Sequence, residues 1–190
     1  GVQTCALPIW VSPDPFASLN MSESVRDSAE HVAANRARAY AVLSRSVATV
    51  VQAHLVHGAT VMTVGREHHG TIPGRFDGMI TNEPGCGLAM NFADCAPILL
   101  VDPVNQAIGL GHAGWQGAVV DLPGAMVRAM QVTFGSDPDT LWAGIGPSIG
   151  PCCYEVGEAV ISAVQGSFAR PADLLIPQKN GPRPHFDLPE

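Results

Sequence analysis

The chain has 190 residues, 46% of them hydrophobic and 14% charged, with a formal net charge of -7. That is enough apolar material for one buried core, and an acidic balance with no Lys or Arg cluster excludes the electrostatic footprint of a nucleic-acid or anionic-membrane binder. The 20 glycines and 16 prolines favour short elements and tight turns over a helical bundle, and no apolar run reaches the roughly 18 to 20 residues that span a bilayer.

Residues 1–9, GVQTCALPI, read like a translated sequencing adapter joined to a gene, so they and Cys5 are set aside from functional reasoning. Turn formers fill SPDPFASLNMSES at 12–24, and the stretch from Ser28 to Leu43 places Ala29, Val32, Ala33, Arg36, Tyr40 and Leu43 at helical spacing. Ser28, with His31 three positions on, is the expected cap of that amphipathic helix.

From Val47 the residues become β-branched, and VATVVQAHLVHGATVMTV predicts two strands, or one bent strand, around His54–Gly58, with His57 near the turn. After the loop REHHGTIPGRFD, the runs GMITN, GLAMNFADCAPILLVD and QAIGLGHAGW read as core strands. A helix is expected over 117–134, with Val120, Gly124, Met126, Val127 and Met130 on one face and Pro123 tolerated only near a first turn. TLWAGIGPSIG then predicts a strand and a Gly/Pro loop, VGEAVISAVQGSF a helix, and PHFDLPE at 184–190 the entrance to another helix. Strands interleaved with a few helices indicate an α/β or α+β chain; residues 10–190 are expected to be one domain, incomplete at both ends.

Three side chains stand out for their chemistry. Cys95 follows Asp94 at the edge of an apolar strand, His112 lies between Gly111 and Gly114, and His57 precedes Gly58. Glycine lets backbone approach a ligand closely, and groups at strand ends can converge on one ion. Each also has a plain reading, as a buried thiol or a core histidine. His54, His68 and His69 are competing ligands, Cys152 and Cys153 are small core or loop residues, and spacing alone leaves the set open. The segment GIGPSIGPCCYEVG at 144–157 is no P-loop, since it lacks GK[ST]; it is a turn before a helix or a substrate-contacting loop.

Taken in order, SLN at 18–20, VHG at 56–58, RFDGMITNEPG at 75–85, FADCAPILLVD at 92–102, GHAGWQG at 111–117 and IGPSIGPCCYEVG at 145–157 resemble the YfiH-type family. These proteins are also called polyphenol oxidase or laccase domain proteins and purine nucleoside phosphorylases. The resemblance implies a layered mixed sheet or sandwich flanked by helices, like that of cytotoxic necrotizing factor. It further implies zinc bound by His57, Cys95 and His112 at a catalytic site acting on purine nucleoside and phosphate. The odd count of five cysteines, with Cys152 and Cys153 adjacent, suits no disulfide framework and makes a reducing cytoplasm the expected compartment, with a monomer as the expected state. Adenosine, inosine, guanosine or methylthioadenosine would be cleaved to base and ribose 1-phosphate, with adenosine deamination as a second activity.

Two departures from the family pattern stand at the site: Leu55 replaces a Gln, and Gln116 replaces an Arg that would help to hold phosphate. Asp77 and Asp94 are the acids expected to orient an imidazole or shuttle a proton, with a turn cap as the plain alternative for Asp77. Gln116 and Ser148 are the expected substrate contacts. Copper polyphenol oxidation, a Cys95–His112 hydrolase or deamidase and a purely structural zinc site are the competing readings.

Overall fold

A computed structural model describes residues 11–16, 20–178 and 181–190; the adapter-like segment and the first two residues of SLN lie outside the described residues. The elements run α1 (Ala29–Val42), β1 (Val50–Gln52), β2 (Val61–Thr63), β3 (Gly78–Thr81), β4 (Gly87–Ala89), β5 (Ala96–Asp102) and β6 (Ala107–Ala113), then α2 (Trp115–Val119), α3 (Leu122–Phe134), β7 (Trp142–Ile145), α4 (Glu158–Ser167), α5 (Pro171–Leu174), β8 (Leu175–Ile176) and β9 (His185–Phe186). The fold is mixed α/β, as the strand and helix patterns require.

The main sheet has five strands in the order β2-β3-β6-β5-β7. β2 and β3 are parallel, and the remaining neighbours are antiparallel. Alternation along β5 buries Ala96, Ile98 and Leu100, and β6 contributes Ala107 and Ala113 to the same face. Onto that face α3 lays Leu122, Met126 and Met130, each fully buried. Removing such side chains from water stabilises the fold by about 1.5–3 kcal/mol apiece. The long hairpin β5–β6 holds the register Pro97↔His112, which sets the Cys95 end of one strand beside the His112 end of the other.

Several sequence expectations resolve differently. The β-branched run forms two strands on either side of the turn at His57 (φ 61°), as expected, but β1 and β2 join different sheets. The run from Gly87 divides into β4 and β5, and the loop between them carries Asp94 and Cys95. The expected helix over 117–134 breaks at Asp121, whose left-handed backbone (φ 58°) ends α2 and whose carboxylate caps α3 through Gly124 N–H. Pro123 therefore falls in a first turn, where its missing N–H is harmless. Ser28 caps α1 through His31 N–H as expected, but the buried face of that helix is Val32, Asn35 and Tyr40, while Ala29, Ala33 and Leu43 face outward.

At the far end the chain does not enter a helix at 184–190. His185–Phe186 pairs antiparallel with Leu175–Ile176, and Phe186 is buried against Val156 and Val164. A lone aromatic between Pro184 and Pro189 favours extended chain, because the residue before each proline is driven away from helical geometry. No helix among the described residues is long and apolar enough to cross a membrane.

Candidate metal centre

His57, Cys95 and His112 offer ligand atoms that all lie within 4.8 Å of one another, and among the described residues they form the only such group of three or more His, Cys, Asp or Glu side chains. His57 is exposed, Cys95 half-buried and His112 buried. The two imidazoles meet edge to face, 5.0 Å between ring centroids, and Phe92 packs on His112 at 5.5 Å. Tetrahedral zinc with bonds of about 2.0–2.3 Å needs ligand atoms about 3.3–3.8 Å apart, so small side-chain rotations would gather these three around one ion. Two imidazoles and a thiol are a donor set that zinc favours and that copper also accepts.

Asp77 builds the site from behind. It is wholly buried, and its carboxylate accepts N–H groups from Val56 (3.2 Å), His57 (2.9 Å) and Gly58 (2.7 Å). Left-handed backbone costs a non-glycine residue about 1–2 kcal/mol, and these charge-assisted bonds hold His57 there. The carbonyl of Asp77 accepts the amide of His112 at 2.8 Å, and its carboxylate stands 3.4 Å from His112 Nδ1. That Nδ1 is buried with no closer partner, so the contact is an orienting one at long range. One acid thus touches both histidines; the turn its carboxylate binds is that of residues 56–58, not the one before GMI that the sequence suggested.

The electrostatics favour a cation. Burial, then the charges of Asp94 and Asp77, push the Cys95 thiol above its usual range. Burial, then the neighbouring His57, pushes His112 down, against the opposing pull of Asp77. The site therefore presents a neutral imidazole and a thiol whose ionisation needs a positive partner. Gly114 is indispensable to this geometry, since a Cβ there would stand 2.8 Å from Cys95 Sγ and 3.4 Å from a His57 ring carbon. Gly111, by contrast, serves packing: a Cβ would strike Met126 of α3 at 2.3 Å, so its role is close approach of helix to sheet and not of a ligand.

A cavity of about 330 Å³ opens beside the three residues, lined by His57, Asp94, Cys95, Gly114, Trp115, Gln116, Ile149, Tyr154 and Leu188. That volume suits a small-molecule ligand. Asp94 and Gln116 lie on its wall, whereas Ser148 does not line it; the Ser148 hydroxyl is buried without a hydrogen-bond partner. Nor does any Lys or Arg line it among the described residues. Ile149 N–H donates to the carbonyl of Asp94 at 2.9 Å, which draws the 144–157 loop against the cavity, where Ile149 and Tyr154 line the wall. Trp115, Tyr154 and Leu188 were not singled out from sequence, because no periodicity marks a residue that reaches a cavity from the first turn of a helix or from a loop. His54, His68 and His69 stay apart: His54 bridges Arg75 through the backbone, and His68 pairs with Glu67 at 2.9 Å.

A mixed α/β sheet that gathers two histidines and a cysteine beside a small-molecule cavity defines a candidate metal-dependent α/β protein. The chain belongs to the multi-copper polyphenol oxidoreductase laccase family, whose model matches residues 9–190. It is 38% identical over 162 residues to purine nucleoside phosphorylase YlmD of Geobacillus stearothermophilus, covering 81% of this chain and 59% of that one. The Bacillus subtilis protein of the same name is 35% identical over 95% of this chain and 67% of its own length. Among solved structures, Bacillus licheniformis hypothetical protein YfiH superposes with a TM-score of 0.87 at 31% identity, covering 95% of this chain and 70% of that one. YlmD of Geobacillus stearothermophilus follows at 0.85 and 35%, covering 94% and 69%. The chain spans 59–67% of the length of these curated relatives.

Proposed function

We propose that residues 10–190 act as one catalytic domain that holds a zinc ion through His57, Cys95 and His112. In this reading the domain cleaves purine nucleosides (adenosine, inosine, guanosine, methylthioadenosine) with phosphate, and adenosine deamination is a second activity. The observation that carries the proposal is the gathering of those three ligand atoms within 4.8 Å of one another, with His57 and Cys95 on the wall of a ligand-sized cavity and His112 buried behind them. Relatives named purine nucleoside phosphorylase supply the substrate class.

Zinc, when bound, supplies Lewis-acid activation at neutral pH through a coordination position that three protein ligands leave open. The remaining work falls to the chain. Asp77 faces Nδ1 of His112 and so leaves Nε2 for the ion, the carboxylate–imidazole arrangement that fixes a tautomer. Trp115 and Tyr154 offer flat surfaces to a purine, and Ile149 and Leu188 exclude water from it. Asp94, exposed on the cavity wall, takes or returns the proton of the departing or attacked base. Gln116 gives phosphate neutral hydrogen bonds where an arginine would give a charge.

The family's oxidase name favours copper as a second reading, and imidazole with thiolate suits that metal. Multicopper oxidation requires further ligand clusters, and the chain has seven histidines in all. A Cys95 hydrolase is opposed by the upward push on its thiol, since the thiolate is the nucleophile. Anaerobic release of free base from inosine and phosphate, set against aerobic oxidation of a phenol, tests the choice; a chelator should abolish the former. A purely structural zinc site predicts that Cys95→Ala unfolds the domain. The catalytic reading predicts a folded protein without turnover.

A further inference from the structure

Cys152 and Cys153 stand on the loop that walls the cavity, and nothing in the proposed reaction uses them. Their sulfurs are 3.0 Å apart, and they are the exposed free cysteines among the described residues, Cys86 being buried and Cys95 half-buried in the metal centre. Adjacent thiols in an unrestrained chain turn away from one another freely. Here Cys153 N–H donates to the carbonyl of Gly150 at 3.0 Å, Ile149 N–H to Asp94 and Phe186 N–H to the carbonyl of Tyr154 at 2.9 Å. The turn is therefore tied on one side to the Asp94–Cys95 segment and on the other to β9, with both sulfurs held together at the surface.

We propose that Cys152–Cys153 is a thiol–disulfide exchange site for small disulfides such as oxidised glutathione, and that its closure moves the Ile149–Tyr154 wall of the cavity. One thiolate of the pair attacks one sulfur of the small disulfide, whose S–S bond breaks and whose other half leaves as thiolate. The neighbouring thiol, 3.0 Å away, then gives up its proton, attacks the first cysteine sulfur and expels the second half. The small disulfide is reduced to two thiols, and the protein thiols are oxidised to one intramolecular disulfide.

The geometry serves either order of attack: with the sulfurs 3.0 Å apart, whichever thiol forms the mixed disulfide has its neighbour in place to resolve it. Adjacent Cα atoms are about 3.8 Å apart across a trans peptide, below the about 4.4–6.8 Å span of ordinary disulfides. Ring closure must therefore twist the 152–153 peptide, and the exposed, strained bond is readily reduced again. Because Ile149 and Tyr154 flank that peptide and line the cavity, the twist is delivered to the ligand site.

The coupling to the cavity rests on the functional reading above, whereas the exchange chemistry does not, so the test reads them separately. The full chain, zinc-loaded, is incubated with oxidised glutathione and analysed by intact mass and peptide mapping. Loss of two hydrogens mapped to Cys152–Cys153 is expected, with Cys152→Ser and Cys153→Ser each accumulating a stable glutathione adduct on the remaining thiol. Stable glutathione adducts on the parent chain without ring closure, or a disulfide mapped elsewhere, overturn the exchange site. The oxidised chain should also show a raised KM for inosine, restored by a dithiol reductant. An unchanged KM overturns the coupling, and absence of base release in both states overturns the phosphorylase reading while the mass result stands.

Discussion

Asp77→Asn probes the account at its most connected residue. The amide preserves shape but replaces one acceptor oxygen with an NH2 group, so at least one of the N–H groups of Val56, His57 and Gly58 faces a donor. Hydrogen bonds to charged groups contribute about 1.5–3 kcal/mol each, and a buried donor left unmatched costs about 1–3 kcal/mol. A loss of about 2–4 kcal/mol follows, within the about 5–15 kcal/mol stability of a folded domain, so the variant remains foldable. Releasing His57 from its left-handed turn and His112 from its orienting carboxylate should lower zinc affinity about 10–100-fold. Urea unfolding of the metal-free protein gives the first number, and zinc competition against a chromophoric chelator the second. Parental values in both measurements would refute the role assigned to Asp77.

Gly114→Ala places a methyl 2.8 Å from Cys95 Sγ; displacement of the thiol should cost about 1–3 kcal/mol and weaken zinc about 10–100-fold, read by the same competition with little change in far-ultraviolet circular dichroism. Gln116→Arg adds a cation to a cavity wall that has none among the described residues. At an exposed position its pairing is worth about 1 kcal/mol, so the KM for phosphate should fall about fivefold while the KM for inosine holds. The metal-free protein should lose stability as pH falls below about 6.5. His112 is held below its ordinary value by burial and by His57, so the unfolded chain binds the proton that the folded chain refuses, and stability rises with pH across that window. Denaturant midpoints from pH 5 to 8 check the sign, and His112→Gln should flatten the slope.

How far these features were legible depended on whether the physics was local. The cap at Ser28, the first-turn Pro123, the apolar run of β5 and the α3 methionines follow from neighbours in sequence, and they fold as read. The left-handed turns at His57 and Asp121 were not legible, because Asp and His, though enriched there, adopt positive φ in only a small minority of cases; their stabilising bonds come from Asp77, twenty residues downstream, and from the capping of α3. The three proposed ligands were visible as residues, but their convergence depends on the β5–β6 register and on Asp77 reaching both histidines, which spacing does not encode. Gly111 and Gly114 look alike in sequence, and only the position of Met126 against that of Cys95 separates packing from site construction.

X-ray absorption of the zinc-loaded full chain bears most directly on the proposed centre. It should show one sulfur at about 2.3 Å and two imidazole nitrogens at about 2.0–2.1 Å, with a fourth light atom that exchanges when phosphate is added, and the sulfur should vanish in Cys95→Ala. A shell without sulfur in the parent chain, or one unaltered by that substitution, would contradict it.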